Sequence, residues 1–473
     1  METPPTDRTR RELLKGMATL SVLPAVATAG QQDQTSPLIE VPNKEGKVNR
    51  TSGDLHTRDG AVLEHARNLP TDSASEVIVC GGGPAGVAAA LASARQGAKT
   101  LLIEVHGCLG GVWTAGMLCN ILDAGSKSGI MREIETRLEE AGNQPPTRKF
   151  TYNPEAMKRV LEEMCVEAGV RIRCQTRVVG AIRSGSTLAA ILTESKAGRE
   201  AWTAETFIDC TGDGDLGAHA GCAFDVGIDE SCTCQPMSLM ALVSGLDAEA
   251  IGPYINAGGT DAKRQLLQLL QDHGCHPSYA SPSLFHIQDN LFALMANHEY
   301  GVSAFDPDAV TEATIRARKE VNRIVDTLRG VGGAWKDVAL VATAEQIGIR
   351  EGRRIQGRYV VTEQDLVEGK EHKDAVCKVK FPVDVHTLTN EVGKTKGYSN
   401  HDIEVKPYDI PLRALISKDV DNLLMAGRCI SGDFFAHASY RVTGNAVPMG
   451  EAAGKLAADC VAKGKRAHEV VGG

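Results

Sequence analysis

Apolar and polar positions along this chain change rhythm near residue 75. Residues 30–72 are rich in Gln, Asp, Thr, Ser, Asn and Pro and carry no hydrophobic period, so they read as a flexible linker. From Val77 a short β-branched run predicts a buried strand. It ends in Gly81-x-Gly83-x-x-Gly86, an alanine-rich helix follows, Gly97 stops that helix, and a second apolar strand closes on Glu104. Ile130–Ala141 has the spacing of an amphipathic helix. A second helix is expected from Asn153-Pro154, a cap and first position, to Ala168 with Gly169 as its stop. Val170–Ile182, Leu188–Thr193 and Thr203–Ile208 read as strands.

Beyond about Gln235 the pattern weakens. Helical runs stand out at Asp261–Asp272 and Ala309–Leu328, a basic helical segment is expected from Glu345, and a final helix from Pro448 towards Ala462. The division this predicts is a leader over 1–29, the linker over 30–72, a nucleotide-binding part over 73–235, a substrate lobe over 236–400 and a return of the first domain over 401–473. The fold class is α/β, Rossmann-like, with a β-meander and an inserted α+β lobe.

Bulk properties narrow the function. At 473 residues, 42% hydrophobic and with 49 glycines, the chain suits a turn-rich α/β enzyme rather than a disordered or fibrous one. A formal charge of −9 gives no electrostatic reason to expect nucleic acid or an anionic membrane as partner. Thirteen cysteines are scattered without zinc-like spacing. The pair Cys232-Thr-Cys234 reads either as a redox dithiol or as two small loop residues. The first residues, Thr9-Arg10-Arg11-Glu12-Leu13-Leu14-Lys15, resemble a twin-arginine export motif. The stretch Gly16–Ala29 that follows is too short and too weakly apolar to span a membrane, and it ends in an A-x-A pattern. The expectation is an extracytoplasmic or periplasmic mature protein starting near Gly30, without stable membrane insertion.

The glycine motif names a ligand class. Gly81 permits the tight turn, Gly83 lets the backbone approach a pyrophosphate, and Gly86 lets the helix pack against the strand. Pro84 and Ala85 open a helix whose free N–H groups favour phosphate, and Glu104 sits where a carboxylate reads ribose hydroxyls. Gly110-Gly111 with Thr114 resembles the second phosphate-contact loop of FAD proteins, the Thr hydroxyl being free to donate. Thr211-Gly212-Asp213 resembles a later turn of two-dinucleotide-type flavoproteins. Ala426-Gly427-Arg428 ends a strand and Gly444-Asn445-Ala446 opens the last helix, resembling the return that seats a flavin ring.

With those segments in hand, Val77–Lys455 resembles the bacterial FAD-dependent oxidoreductase family, related to the fumarate reductase/succinate dehydrogenase flavoproteins. The carrying segments are VIVCGGGPAG, LGGVWTAG, NPEAMKRVLEEMCVEAGV, FIDCTGDGDLG, QPMSLM, IGIREGRRIQGRYVVTEQDL, PVDVH, YDIPLRAL and NLLMAGRCISG, in the family's order. The resemblance implies FAD as cofactor, Val178 against the adenine and Asp433 or its neighbours against the ribityl chain. One departure is SYRVTGNAVPMGEAAGK, whose Gly444-Asn445-Ala446 is nearer the fumarate-reductase pattern.

Flavin chemistry needs hydride exchange at N5, a proton-transfer group and cations to orient a polar substrate. His437 and Arg441 lie four apart. By the resemblance they hold a substrate carboxylate; otherwise they satisfy loop carbonyls or face solvent. Arg350, Arg353 and Arg354 form a basic cluster; on a helix Arg350 and Arg353 or Arg354 would share a face, either as an anion clamp or as a solvated surface paired with Glu345 and Glu351. Asp384-Val-His386 places two side chains on one strand face, with His386 either the proton-transfer group or structural. Trp113 either walls the flavin or sits in the core. The expected activity is hydride transfer between flavin and a small organic substrate, with an unidentified electron acceptor or donor and the direction open. The rivals are an isomerase or hydratase that uses FAD without redox turnover, and a non-turnover electron-transfer or binding module.

Overall fold

The computed structural model describes residues 68–142, 150–257, 260–393 and 395–471, and the backbone of 57–58 and 61–62. The leader expected over 1–29 lies outside the described residues, as does most of 30–72. Within that stretch Thr57–Arg58 pairs antiparallel with Ala61–Val62, and Thr71–Asp72 runs parallel to Ala201–Trp202.

The strand predicted from Val77 forms over Val77–Cys80 and is wholly buried. It sits in the middle of a five-stranded parallel sheet, in the order Leu423–Met425, Thr206–Asp209, Val77–Cys80, Thr100–Ile103, Arg171–Arg173. Helices cover it, which is why its central strands are continuous apolar runs instead of alternating ones. All its strands point the same way. Gly81, Glu104, Cys210 and Ala426 therefore follow their strands at a common edge, where doubly wound sheets bind ligands.

The helix after the first strand spans Pro84–Arg95 and packs along the last helix, Thr443–Lys463. The approach is backbone to backbone. A Cβ on Gly450 would lie 2.0 Å from the Ala85 carbonyl oxygen, and one on Gly454 2.1 Å from that of Ala89. The alanine-rich first helix and the two glycines of the last are thus one packing solution. The last helix begins well before Pro448, which lies inside its early turns. There proline costs the Gly444 carbonyl its partner without ending the helix.

The helices at Ile130–Glu140 and Pro154–Glu167 form as expected, and the Asn153 side chain accepts from Glu155 N at 2.9 Å as the cap. The strand expected over Val170–Ile182 is broken into Arg171–Arg173 and Arg177–Ser184, because Gln175 takes a left-handed conformation (φ 53°). Arg177–Ser184, Thr187–Ser195 and Gly198–Trp202 make the meander.

The second lobe is a four-stranded antiparallel sheet, ordered Ser283–Gln288, Leu291–Met295, Ala241–Ser244, Ala339–Thr343. Helices Asp261–Asp272 and Pro307–Val331 flank it over a core that includes Phe292, Leu294, Ile324 and Leu328. The basic segment from Glu345 is not helical. Gly348 exchanges backbone hydrogen bonds with Ser238, Ile355 donates to the Cys429 carbonyl, and Arg354–Ile355 pairs with Phe224–Asp225. Pairing on both sides outweighs the helical preference of a charged run.

Candidate active site

A cleft runs along the common edge of the parallel sheet. One end is walled by Glu104, Arg177 and Val178, the middle by Gly81, Gly83, Pro84, Gly111, Thr211 and Gly212, and the far end by Gly427, Thr443 and Ala446. Glu104 holds the glycine turn: its carboxylate accepts from Gly82 N and, at 2.8 Å, from His106 N. Asp209, at the end of its strand, holds the Thr211 turn by accepting from Thr211 N at 3.0 Å, Thr211 Oγ1 at 2.8 Å and Gly217 N at 2.8 Å. Burial pushes the Asp209 carboxyl up to about 6 despite these bonds. Arg428 staples the walls by donating to the Gly212 and Ile349 carbonyls and to Asp213 Oδ1.

A second cavity of about 390 Å³ abuts the cleft. Val112, Gly116, Gly348, Ile349, Arg441 and Thr443 line both, so a group at the end of the cleft faces whatever the cavity holds. On the cavity wall His386 Nε2 lies 3.3 Å from Asp384 Oδ2, while His386 Nδ1 is buried with no protein partner. Arg441 donates to the Asp384 carbonyl at 2.9 Å and to Gln235 Oε1 at 3.2 Å. Burial, then the Arg350 charge, pushes His386 down to about 4 against the pull of Asp384. Burial works against Asp384, yet His386, Arg441 and Arg350 hold its carboxyl below the usual range.

A family model described as FAD dependent oxidoreductase matches residues 76–472. The chain belongs to this family. Relatives align over parts of the oxidoreductase only. A thiamine thiazole synthase of Methanococcus vannielii is 32% identical over 99 residues, 20% of this chain and 37% of that protein. The tRNA uridine 5-carboxymethylaminomethyl modification enzyme MnmG of Bacillus licheniformis is 39% identical over 111 residues, 18% of this chain and 17% of that enzyme. The chain thus spans well under half the length of either. Among solved structures, a geranylgeranyl bacteriochlorophyll reductase-like protein of Thermoplasma acidophilum aligns over 83% of this chain and 79% of its own, at 13% identity and TM-score 0.43. The flavin-dependent brominase Bmp2 aligns over 85% and 80%, at 12% identity and TM-score 0.44.

The residues present fit the family's FAD. A Cβ on Gly86 would lie 1.7 Å from the Gly81 oxygen and one on Gly81 2.4 Å from the Cys210 oxygen, so both glycines are packing positions. A Cβ on Gly83 meets nothing within 4 Å, although Gly83 lines the cleft. The protein leaves that space open at the helix N-terminus, where a pyrophosphate belongs. Ala85, Val178 and Gly427 also line the cleft.

Other expected cofactor residues stand behind the wall. Thr114 is buried and donates its hydroxyl to the Leu109 carbonyl at 2.6 Å, which corrects the expectation that it would donate to phosphate. Gly110 (φ 109°) allows that turn, where a Cβ would strike Thr114. Asp213 is tied to Arg428, whose own guanidinium is spent on protein atoms. Asp433 caps the helix Phe434–Tyr440, one carboxylate oxygen accepting from Ala436 N and the other from Glu363 N, and it is not among the residues that line the cleft. Gly444 packs against the Leu122 carbonyl, and Asn445 is buried and accepts from Cys377 Sγ. Trp113 belongs to the core, edge-on to Tyr152.

The expected catalytic residues divide as well. Arg441, His386 and Arg350 reach the second cavity. His437 does not: its ring is fully buried 3.9 Å from Glu351, and burial, then nearby arginines, keeps it neutral. Arg353 leaves the site too, pairing with Asp215 at 2.9 Å and lying over the Phe305 ring at 4.1 Å. In an extended segment Arg350 and Arg353 do not share a face. Arg354 is buried on the Gly432 and Gly227 carbonyls. Cys232 and Cys234 are free thiols, the Cys234 Sγ donating to the Cys232 carbonyl.

The structure adds residues not expected from the sequence. Gln235 Oε1 accepts from both His386 N and Arg441. Lys263 and Tyr279 line the cavity from the weakly patterned lobe. Glu351, expected as a surface partner, is buried and accepts from Gln235 N. The one available signal was QPMSLM, whose first residue is Gln235.

Proposed function

We propose that this oxidoreductase exchanges a hydride between its flavin and a small organic substrate in the second cavity, with His386 moving the accompanying proton. The observation that carries this reading is the shared wall: the Asp384–His386 pair stands in a cavity that shares Ile349, Arg441 and Thr443 with the cleft. Bound FAD supplies two-electron chemistry at its ring. Gly83, Gly111, Thr211 and Gly212 would hold its phosphates, with Glu104 and Val178 towards the adenosine end and Gly427, Thr443 and Ala446 towards the ring.

Asp384 accepts from His386 Nε2–H and so leaves the lone pair on Nδ1. A substrate C–H departs as hydride while the proton of the adjoining O–H or N–H goes to Nδ1. Run backwards, the same groups reduce a substrate. The Gly444-Asn445-Ala446 segment supports kinship to the fumarate reductase flavoproteins, for which that direction is the natural one.

Anaerobic addition of hydroxy acids, sugars, enoates or steroids is expected to bleach or restore the flavin band with one class, followed by steady turnover. Flavin reduced only by a protein donor would sink the reading in favour of an electron-transfer module. Twin-arginine export belongs to the same proposal and is supported by Thr9–Lys15. Fractionation should find the protein outside the cytoplasm and cut near Gly30; an uncut cytoplasmic chain would refute it. Among the described residues no helix is long and apolar enough to cross a membrane.

A further inference from the structure

We propose that the second cavity is built for a hydrophobic monocarboxylate, whose anionic head is held by Arg350 and Lys263. This rests on the reading of that cavity as the substrate site. It goes further by naming the substrate class from the lobe residues alone.

The charges on the cavity wall do not cancel. Lys263, Arg350, Arg428 and Arg441 line it, against the single carboxylate of Asp384. Arg428 is matched by Asp213, and Arg441 lies 3.6 Å from Asp384, which His386 also engages. Arg350 and Lys263 are left over. Arg350 donates to the Pro236 carbonyl, and Lys263 lies over the Tyr398 ring at 5.1 Å. Among the described residues neither has a carboxylate within salt-bridge reach. Burial, then repulsion from Arg441, brings Arg350 down to about 10, and burial lowers Lys263. Asp384 is the carboxylate whose charge both cations feel, and His386 and Arg441 already engage it. Two desolvated cations that share one engaged carboxylate favour a bound anion, because each loses more hydration than its protein contacts return.

The rest of the wall decides what carries the anion. Leu118, Met240, Phe285, Met295, Phe381 and Val383 are apolar and line the same space. At about 390 Å³ the cavity is of the size that encloses a small ligand's body. A short dicarboxylate would set its second charge against this surface, uncompensated. A single carboxylate on an apolar body satisfies both ends. Arg350 offers the planar fork that carboxylate matches, and Lys263 is a second cation on the wall of the same cavity.

The test titrates FAD-loaded protein with octanoate, 3-phenylpropionate, their methyl esters, phenethyl phosphate and succinate, read by calorimetry and by perturbation of the flavin spectrum. The monocarboxylates are expected to bind at least tenfold tighter than their esters and than succinate. Lys263→Met and Arg350→Gln should each weaken monocarboxylate binding at least tenfold and leave ester binding unchanged. Binding of neither monocarboxylate, succinate binding as tightly, or variants with full flavin content and unchanged affinity would each overturn the proposal. A tenfold preference for phenethyl phosphate would overturn the carboxylate assignment. Lys263 is on a half-buried helix face, so its variant carries the test if Arg350→Gln fails to fold. Since binding needs no turnover, a flavin that no substrate reduces would refute the redox reading and leave this one standing.

Discussion

His386→Asn is expected to keep its flavin and to lose roughly 10²- to 10⁴-fold in the rate of flavin reduction by whichever substrate bleaches it, the usual worth of a positioned proton-transfer group. Asparagine fits within the histidine's volume and carries no titrating group, so with flavin content retained the loss reports the missing base and not a collapsed wall. The pH profile separates the two. Burial and the Arg350 charge bring His386 to about 4, so the imidazole is free to accept a proton above that pH and is blocked below it. Wild-type reduction should therefore fall as pH drops through about 4, and the variant's residual rate should lack that limb. A limb that persists in His386→Asn would assign it to another group.

The same shift has a consequence for stability. A histidine has an ordinary value of 6.5 in the unfolded chain and about 4 here, so between those values the unfolded state binds more protons. Stability must climb as pH rises from about 4 to 6.5, His386 contributing on the order of 3 kcal/mol across that window. His298 and His437, both buried and held well below the usual range, act in the same direction. Urea unfolding at pH 4.5 and pH 7 should show a shallower pH dependence for His386→Asn than for the wild type.

The parts legible in the sequence were those in which local pattern and long-range contact agree. Val77–Glu104 shows its strand, turn, helix and strand because each residue type there is demanded by backbone geometry, down to the contact of Gly86 with Gly81. The helix Asp261–Asp272 has its predicted limits for a similar reason: one polar face, one buried edge at Leu266 and Leu270. The segment from Glu345 misled because its charges have a helical rhythm, while its conformation is set by strands that lie far off in the chain, at Ser238 and Cys429.

The site shows the same division. Arg441 stands out in the sequence because it lies between a turn motif and the start of the last helix, and His386 because the Asp384-Val-His386 alternation puts two side chains on one face; both reach the cavity. Arg353 and His437 were misplaced because sequence spacing does not show whether a long side chain meets a cavity or an internal carboxylate. Asp215 and Glu351 supply those partners from elsewhere in the chain. Lys263 carried no signal of its own, being one charge on an amphipathic helix. Only the folded cavity shows that, among the described residues, no carboxylate lies within salt-bridge reach of it.

Gly83→Asp should fold as well as the wild type and bind almost no FAD. The backbone at Gly83 has φ −71° and ψ −174°, which any residue adopts, and a Cβ there touches nothing within 4 Å. Gly83 is also the N-cap of Pro84–Arg95, a position where aspartate is favoured both as acceptor and against the helix dipole. The apo protein should therefore melt at or slightly above the wild-type temperature. For FAD the new carboxylate stands where the pyrophosphate must lie. Two like charges about 4 Å apart cost about 4 kcal/mol at an effective dielectric near 20, or roughly a thousandfold in affinity.

Gly86→Ala gives the contrasting loss. Its methyl would lie 1.7 Å from the Gly81 carbonyl oxygen, so the helix must move off the strand, at a cost of about 3 kcal/mol or more in both apo and loaded forms. Melting of the two apo variants, with flavin titration of each, separates a ligand position from a packing position within one motif. Retained FAD affinity in Gly83→Asp would mean that the cofactor's phosphates do not lie at this turn, and the orientation of the whole cleft would have to be redrawn.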